Sequence, residues 1–340
     1  MLHVGLLYTK METSNKNMEE LNPHGAIQMN VTVKAIEKAL FSKGHKVTLF
    51  PATFDLLQRI SRIKDLDVIF NACTGITNKR QQANVVAMLE LQHIPFVGSS
   101  LSTQILGLHK QISKRLFRSA NIPTPQFQVF YTGEEEIEKH LRYPLIVKPE
   151  HEGSSLGISN DSVVFNEDSL KKKVKEIIGI FDQPALVEEF VSGREFTVGV
   201  LGNDDPEVLP ILEILYDDKN KDGLMTVDIK AKDAVGIVCP AEIDVEIAEK
   251  IRDYAKRAYK ALGCNEYARI DVRLDENNIP NFIEINTLPG MQPNYSDFPR
   301  MAKVAGYTYE DLIDKMVRLA IEKSRVDNEK KEEFYVGATS

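Results

Sequence analysis

The sequence has no surplus of basic residues and few cysteines, and both absences narrow its range of partners. Its net charge is -8 and its pI is about 5.5. Binding DNA or RNA would call for Lys and Arg concentrated on one face, so we expect no nucleic-acid partner. The three cysteines, Cys73, Cys239 and Cys264, are widely spaced and form no C-x-x-C pair. This usage fits buried thiols in a reducing compartment and offers no zinc site.

Long apolar runs are also missing. No stretch of about 20 apolar residues, the length that a membrane helix needs, occurs in the chain. The opening MLHVGLLYTK has no basic segment, and its apolar run is too short for a secretory signal. We therefore expect a cytoplasmic protein that does not associate with a membrane.

Two common nucleotide-binding motifs are absent as well. The pattern G-x-x-x-x-G-K-[ST] of P-loop enzymes does not occur, and no G-x-G-x-x-G follows the opening strand. The second absence argues against a dinucleotide-dependent enzyme. A nucleotide is still compatible with the acidic composition, because a few lysines and backbone N–H groups suffice to bind it.

The composition that is present is that of an ordinary globular protein. Hydrophobic residues make up 43% and charged residues 27% of its 340 residues, enough to bury a substantial core. The length exceeds the roughly 100 to 200 residues of a usual domain, which predicts two or three lobes. We place their boundaries at 1–99, 100–190 and 191–323, and we expect a disordered, charge-rich tail at 324–340.

Short apolar runs alternate with amphipathic stretches in the first segment. Strands are predicted at 3–8, 46–51, 65–72 and 94–99, with helices at 25–42 and 82–92. This alternation is typical of an α/β lobe with a doubly wound parallel sheet. The later segments mix short strands with helices and predict α+β lobes, which end in a hairpin at 268–286 and a helix from Tyr309 to about Lys323.

That hairpin carries two facing carboxylates. ARIDVRL and NFIEINT alternate strictly around the turn DENNIP, and a turn centred between Asn277 and Asn278 places Asp271 opposite Glu284. Two such carboxylates repel each other unless a cation lies between them or one is protonated. With the amide oxygen of Asn286 they form an oxygen-only ligand set that suits Mg²⁺.

Taken alone, the hairpin also fits a solvated face on which Arg269 and Arg273 pair with the two acids. The continuation NTLPGM favours the metal site instead. Pro289 and Gly290 turn the chain immediately after the ligands, as an active-site loop would.

A loop of small residues follows an apolar strand near the middle of the chain. Lys148 ends the strand PLIVKP, and the loop EHEGSSLGIS supplies Gly153, Ser154 and Ser155. Such residues let backbone N–H groups and hydroxyls approach phosphate oxygens. A buried ammonium at Lys148 would be costly unless it met an anion, and Lys110 at a helix start is a similar candidate. The alternatives are a plain turn and, for Lys110, a surface lysine that extends to solvent.

The segment VEEFVSGREF predicts a strand, a short polar connection and a second strand. Backbone groups of Glu189, Phe190 and Val191 would be free to contact a purine edge. Glu188 is a candidate for the adenine amino group and Glu195 for the ribose hydroxyls. Both acids are equally compatible with ordinary strand-end positions.

In their order, these segments resemble the ATP-grasp superfamily and most closely the D-alanine–D-alanine ligase family. The resemblance is carried by LHKQISKRLF, IVKPEHEGSSLGI, LVEEFVSGREFTV and YARIDVRL with FIEINTLPGM, and it extends over roughly residues 65–322. It implies a three-lobe fold with a substrate-side first lobe, a central lobe and a catalytic lobe, and with ATP between two antiparallel sheets. It also implies two Mg²⁺ ions, with Mn²⁺ as an alternative, amino-acid substrates and a homodimer.

The implied reaction joins a carboxylate to an amine through an acyl phosphate and forms a dipeptide. The resemblance assigns Lys110 and Lys148 to the phosphates, Ser154 and Ser155 to the covering loop, Glu188, Phe190 and Val191 to adenine, Glu195 to ribose, and Arg269, the Gly290 backbone and Ser154 to catalysis.

Two departures from the family pattern concern the substrates. The family's glycine pair and glutamate are replaced by YTKMETSNKN, in which Glu12 is a candidate. The family's mobile loop usually supplies a tyrosine, and here DIKAKDA offers Lys230 and Lys232 instead. MQPNYSDFPR places Tyr295, Ser296 and Arg300 where the carboxylate of the second substrate would bind. The departures leave open a ligase of the same fold that joins other amino acids or another amine. A nucleotide-binding module without catalysis is the alternative from a different class.

Overall fold

The structure is a computed structural model that describes residues 1–10, 25–76, 81–153, 155–216, 223–226, 229 and 235–338. Three sheets follow one another along the chain, and each falls within one of the three predicted segments. No described helix is both long and apolar enough to cross a membrane.

The first sheet is parallel, with the strand order β2-β1-β3-β4. Its elements are β1 (His3–Thr9), α1 (Gly25–Ser42), β2 (Lys46–Ala52), α2 (Leu56–Ser61), β3 (Val68–Ala72), α3 (Gln82–Glu90) and β4 (Phe96–Val97). Successive strand residues point to opposite faces. Leu6 therefore packs into the core that α1 covers, whereas Leu7 packs into the core under α2 and α3. This burial on both faces confirms the predicted doubly wound α/β lobe.

The second sheet is antiparallel and has the order β5-β8-β6-β7. Its segment contains α4 (Leu101–Leu108), α5 (Lys110–Ser119), β5 (Phe127–Phe130), β6 (Leu145–Pro149), β7 (Val163–Val164), α6 (Glu167–Phe181) and β8 (Ala185–Glu189). Helix α6 begins where the Asn166 side chain accepts from the Ser169 N–H at 2.9 Å. Its apolar face covers the sheet through Leu170, Val174 and Ile177.

The third sheet is also antiparallel, with the order β12-β11-β9-β13-β14 and β10 paired to β9. Its strands are β9 (Glu195–Leu201), β10 (Glu207–Val208), β11 (Leu212–Leu215), β12 (Gly236–Val238), β13 (Tyr267–Leu274) and β14 (Pro280–Asn286). Helix α7 (Val245–Ala261) packs on one face, where Ile251 meets the strand residues Val198 and Ile270.

Two helices complete the chain, α8 (Asp297–Val304) and α9 (Tyr309–Ala338). Helix α9 contacts α1, β3 and β4 and so returns to the first lobe. The predicted helix end at about Lys323 and the predicted disordered tail are wrong for the described part, because the helix continues to Ala338.

The cysteines follow the prediction closely. Cys73 and Cys264 are buried free thiols, and Cys239 is half-buried. Burial raises the pKa of the Cys239 thiol to about 11 and that of Cys264 to about 12, so both stay protonated at neutral pH.

Candidate active site

The carboxylate hairpin has the predicted register at its functional end. Asp271 on β13 pairs directly with Glu284 on β14, and the register shifts just beyond them, so that Val272 pairs with Phe282. Asn286 lies next to both acids, with its amide Nδ2 donating to Asp271 Oδ2 at 3.2 Å and to Glu284 Oε1 at 3.4 Å. The three side chains that the sequence assigned to a metal therefore converge.

The hairpin face is not the solvated face that the sequence left open. Arg269 donates to both oxygens of Asp271, at 3.0 Å and 2.8 Å, but its side chain is only 13% exposed. Arg273 points instead to Glu195, at 3.7 Å. Burial alone would lower the pKa of the Arg269 guanidinium, but the charge of Asp271 raises it above its ordinary value, so the guanidinium stays charged. Thr197 adds a hydroxyl donor to Asp271 Oδ1 at 2.7 Å.

The donor set of the hairpin fits a hard divalent cation. Two carboxylates and one amide are oxygen ligands of the kind that Mg²⁺ prefers. A rotation of the Asn286 amide by 180° exchanges its nitrogen and oxygen, which would turn the oxygen toward the position between Asp271 and Glu284. The residues are therefore suited to hold Mg²⁺.

Helix α5 brings Lys110 to the same place. Its Nζ donates to the carbonyl oxygen of Glu152, and lies 3.6 Å from Glu284 Oε2. The lysine is buried, with 7% of its surface exposed. The alternative of an ordinary surface lysine is therefore wrong.

Glu188 on β8 lies between two buried lysines. Lys148 on β6 donates to its Oε1, and Lys114 on α5 lies 2.7 Å from its Oε2. Burial raises the pKa of Glu188, but the two lysines more than offset this and hold the pKa below its ordinary range. The carboxylate thus positions the lysines, and the predicted adenine contact of Glu188 stays a prediction.

Lys114 is a site residue that the sequence reading missed. Burial lowers its pKa to about 8, although the charge of Glu188 opposes this shift. The signal was available in the sequence. Lys114 follows Lys110 by one helical turn, and both therefore project from the same face of α5.

The small-residue loop after β6 contains a tight turn. Ser155 has φ +60°, and Gly157 has φ +79°. A Cβ at Gly157 would lie 2.6 Å from Pro149 Cγ, so only glycine allows the loop to pack against the end of β6. Ser154 lies outside the described residues.

An apolar cluster lies against Phe190, a residue that the sequence assigned to the adenine contact. Ile146 on β6 and Val163 on β7 pack with Leu224 from the segment after β11, and Phe190 covers the group. The Arg273 guanidinium lies over the Phe190 ring, 5.1 Å from its centroid. Apolar side chains of this kind are able to pack against a planar ring.

The prediction that the backbone N–H groups of this segment are free to contact a purine needs a correction. The N–H of Glu189 donates to Gln126 O and that of Phe190 to Pro144 O, each at 2.9 Å, so neither is free. The contact of Val191 stays a prediction. Glu195 accepts from the Tyr216 hydroxyl at 2.8 Å, and burial raises its pKa.

The segment after β14 folds back on itself next to the hairpin. Gly290 lies so close to Ser296 that a Cβ at this position would be 2.8 Å from Ser296 Oγ. Ser296 Oγ accepts a hydrogen bond from the Gln292 N–H at 3.1 Å. Tyr295 accepts at its hydroxyl from Gln28 Nε2 of α1 at 2.9 Å. This bond joins the predicted substrate segment to the first lobe.

Arg300 is connected to the hairpin through one acid. Asp297 lies 3.8 Å from Arg300 Nη1 and 3.7 Å from Arg269 Nη1. Arg300 also donates to the Asn294 carbonyl at 3.0 Å. The structure thus places Arg300 close to Arg269, whereas Glu12 and Lys230 lie outside the described residues.

Comparisons with known proteins agree with this arrangement. A family model described as D-ala D-ala ligase C-terminus matches residues 116–318. A D-alanine–D-alanine ligase of Carboxydothermus hydrogenoformans is 33% identical over 303 residues, which cover 86% of this chain and 93% of the relative. An uncharacterised protein of Sinorhizobium fredii, y4sG, is 35% identical over 307 residues, or 88% of each chain. The crystal structure of D-alanine–D-alanine ligase from Bacillus anthracis complexed with ATP is similar in fold, with a TM-score of 0.75 at 22% identity and coverage of 96% of this chain and 100% of that chain.

Together, the three sheets and the matches define an ATP-dependent ligase with the ATP-grasp fold. The chain belongs to the D-alanine–D-alanine ligase family. The family, the fold and the use of ATP that the sequence predicted are confirmed.

Proposed function

We propose that the protein joins two amino acids into a dipeptide through an acyl phosphate, with D-alanine as the first substrate to test. The observation that carries this proposal is the facing pair Asp271 and Glu284, with Lys110 3.6 Å from Glu284. Acids and ammonium groups of this kind are able to hold and neutralise a metal-bound triphosphate.

Asp271, Glu284 and Asn286 would hold two Mg²⁺ ions, for which Mn²⁺ is an alternative. When bound, the ions would neutralise charge on the phosphate oxygens. Lys110 and Lys148 would contact the same phosphates. Lys148 would do so from its pair with Glu188, which keeps it oriented.

The nucleotide base would lie in the apolar cluster around Phe190. We assign the ribose hydroxyls to Glu195 and a backbone contact with adenine to Val191. Ser155 would cover the phosphates together with Ser154, and Lys230 would also contact them.

The chemistry then needs two displacements. A carboxylate oxygen of the first amino acid attacks the γ-phosphorus of ATP, ADP leaves, and an acyl phosphate forms. The amine of the second amino acid attacks the acyl carbon, loses a proton, and phosphate leaves. Arg269 and the Gly290 N–H would stabilise the negative charge that develops on the acyl oxygen.

Substrate recognition would involve the segment after β14. Arg300 would bind the carboxylate of the second amino acid, supported by Ser296 and Tyr295. Glu12 would bind the ammonium group of the first amino acid. We further propose a cytoplasmic homodimer that associates through the first lobe; a monomer in light scattering would contradict that part.

The test is an incubation of the full chain with ATP, Mg²⁺ and D-alanine. We expect ADP, phosphate and D-alanyl-D-alanine in equal amounts, measured by a coupled assay and mass spectrometry. Absence of the dipeptide with this substrate would overturn the choice of D-alanine.

A second candidate is a ligase of the same fold with different amino acids or another amine. The replacement of the family's glycine pair by YTKMETSNKN favours it. A panel of L- and D-amino acids, assayed for amine-dependent ADP formation, separates the two candidates, because only the second predicts a better pair than D-alanine with itself.

A further inference from the structure

Three side chains that the reaction does not use converge beside α5. They are His109, which precedes the helix, and Glu150 and His151, which follow β6. Glu150 Oε2 lies 3.1 Å from His109 Nδ1 and 3.0 Å from His151 Nε2. The two imidazole rings meet edge to face, with centroids 4.2 Å apart. All three potential ligand atoms lie within 4.8 Å of one another.

The hydrogen bonds of His151 fix the proton on one ring nitrogen. Gln183 Oε1 accepts from the His151 backbone N–H at 2.6 Å and lies 3.1 Å from His151 Nδ1. Gln183 Nε2 donates to Glu152 Oε1 at 3.1 Å, so the amide is not reversed. Because a carbonyl oxygen only accepts, His151 Nδ1 must carry the proton.

With the proton on Nδ1, the other ring nitrogen, Nε2, makes a repulsive contact with Glu150. In the neutral ring, His151 Nε2 directs a lone pair at the carboxylate of Glu150, only 3.0 Å away. Two acceptors at that distance repel each other. A cation, or a second proton on the ring, has to lie between them.

The surroundings of Glu150 favour its ionised form, which only accepts hydrogen bonds. Glu150 is fully buried, which raises its pKa, but the polar groups around it, which include both imidazoles and the Gln111 N–H, lower the pKa to about 2. The Gln111 N–H donates to Oε1 at 2.9 Å, which leaves Oε2 to face both imidazoles. The side chains of His109 and His151 are 29% and 19% exposed, so an ion has access from solvent.

We propose that His109, Glu150 and His151 bind a divalent transition metal ion, with Zn²⁺ as the best fit, at a site separate from the carboxylate hairpin. Two imidazole nitrogens and one carboxylate oxygen are a common donor set for Zn²⁺. Ligands of a tetrahedral Zn²⁺ lie about 3.3 Å apart, close to the separations of 3.0 Å and 3.1 Å seen here. The bond from His151 Nδ1 to Gln183 is the outer hydrogen bond that orients metal-bound histidines.

The ion would connect two parts of the phosphate site. His109 directly precedes Lys110, and Glu150 and His151 lead into the loop whose Glu152 carbonyl accepts from that lysine. A bound Zn²⁺ would therefore hold the start of α5 against the end of β6. The expectation of no zinc site rested on the cysteines, whereas these ligands are imidazole and carboxylate.

The test uses the full chain after dialysis against a chelator, titrated with Zn²⁺ by calorimetry and with Co²⁺ by absorption spectroscopy. We expect one ion to bind per chain. Bound Co²⁺ should show the visible absorption that is typical of tetrahedral coordination. His109→Gln and His151→Gln should each weaken Zn²⁺ binding by about 100-fold or more, and Gln183→Leu by about 10- to 100-fold.

Two control variants test whether a loss of Zn²⁺ affinity is specific to the cluster of His109, Glu150 and His151. His140→Gln removes an exposed histidine that lies 3.1 Å from Glu138, and should leave Zn²⁺ affinity unchanged. Asp271→Asn should also leave it unchanged, because the ligands differ. Circular dichroism in the metal-free state checks that each variant is folded. The Co²⁺ spectrum is recorded on the wild-type chain, so it tests metal binding even if a variant does not fold.

Two results would overturn the proposal. One is a wild-type chain that retains no Zn²⁺ and shows ring-nitrogen NMR signals of a doubly protonated His151. The other is Zn²⁺ affinity that is equal in the wild type and in both cluster histidine variants.

Discussion

Glu188 is the acid that two buried lysines share. Lys148 and Lys114 come from β6 and α5, and both lie against its carboxylate. Glu188 is 2% exposed, and Lys114 is completely buried. Removal of one charge from a buried ionic group leaves the other charges without compensation.

We predict that Glu188→Gln destabilises the protein by about 3 to 5 kcal/mol at pH 7. Because folding lowers the pKa of Glu188, its stabilisation is present above the ordinary carboxyl pKa of about 4.3 and is lost as the pH falls through the lower folded-state value. Urea unfolding measures both effects. Glu138→Gln, which changes an exposed acid, is the control and should cost less than about 1 kcal/mol.

The pKa of Lys114 gives a second prediction. NMR of lysine side chains should detect one group that titrates at about pH 8 and that disappears in Lys114→Met. The folded-state pKa lies below the unfolded value of 10.5, so this group increases stability as the pH rises from about 8 to 10.5. Titration of every lysine near 10.5 would contradict the buried position.

Some residue contacts followed from the sequence, and others did not. The pairing of Asp271 with Glu284 was predicted from strand alternation and the position of the turn, but the pairs nearer the turn are shifted by one residue, so the pairing also depends on a bulge between Asp271 and Val272. The contact of Glu188 with Lys148 depends on the register between β6 and β8, which are separated by α6. No local pattern in the sequence encodes that register.

Among the elements, α9 connects the end of the chain to the first lobe. Its residues Ile313 and Val317 are fully buried in the core that also contains Val33 of α1 and Val68 of β3. Two polar contacts lie beside this core: His45 Nε2 lies 2.8 Å from Asp314 Oδ1, and Lys43 forms an ion pair with Asp311.

We predict that Ile313→Ala destabilises the protein by about 2 to 5 kcal/mol, because it leaves a cavity between α9 and the first lobe. Ile180→Ala is the matched control, since Ile180 on α6 is 56% exposed. That change should alter stability by less than about 0.5 kcal/mol. Equal effects of the two changes in thermal unfolding would be inconsistent with the described packing.

Element prediction was accurate for long periodic segments and failed for short ones. The predicted bounds of α1 agree with the structure, whereas α2, α4 and the two-residue strands β7 and β10 were not predicted. Elements of this length are too short to show a hydrophobic period. Helix α8 was not predicted either, and its Pro299 lies in the first turn, where proline is tolerated.

At the scale of the whole molecule, the site exists only where the lobes meet. Lys110 comes from α5, Glu188 from the second sheet, and Asp271 with Glu284 from the third. Gln28 of the first lobe donates to Tyr295 beside the hairpin. The order of motifs predicted this assembly through the family resemblance, but it does not define the identity of the substrates.

The most direct test of the central claim compares Glu284→Gln with Glu276→Gln by amine-dependent release of ADP. Both changes remove one negative charge from the same hairpin, but Glu276 lies exposed in its turn. Loss of a metal ligand should cost several kcal/mol of transition-state stabilisation, or about 100-fold or more in kcat. We predict that Glu284→Gln loses activity to this extent while Glu276→Gln keeps that of the wild type. Full activity in Glu284→Gln would contradict the assignment of the hairpin as the metal-binding centre of the ligase.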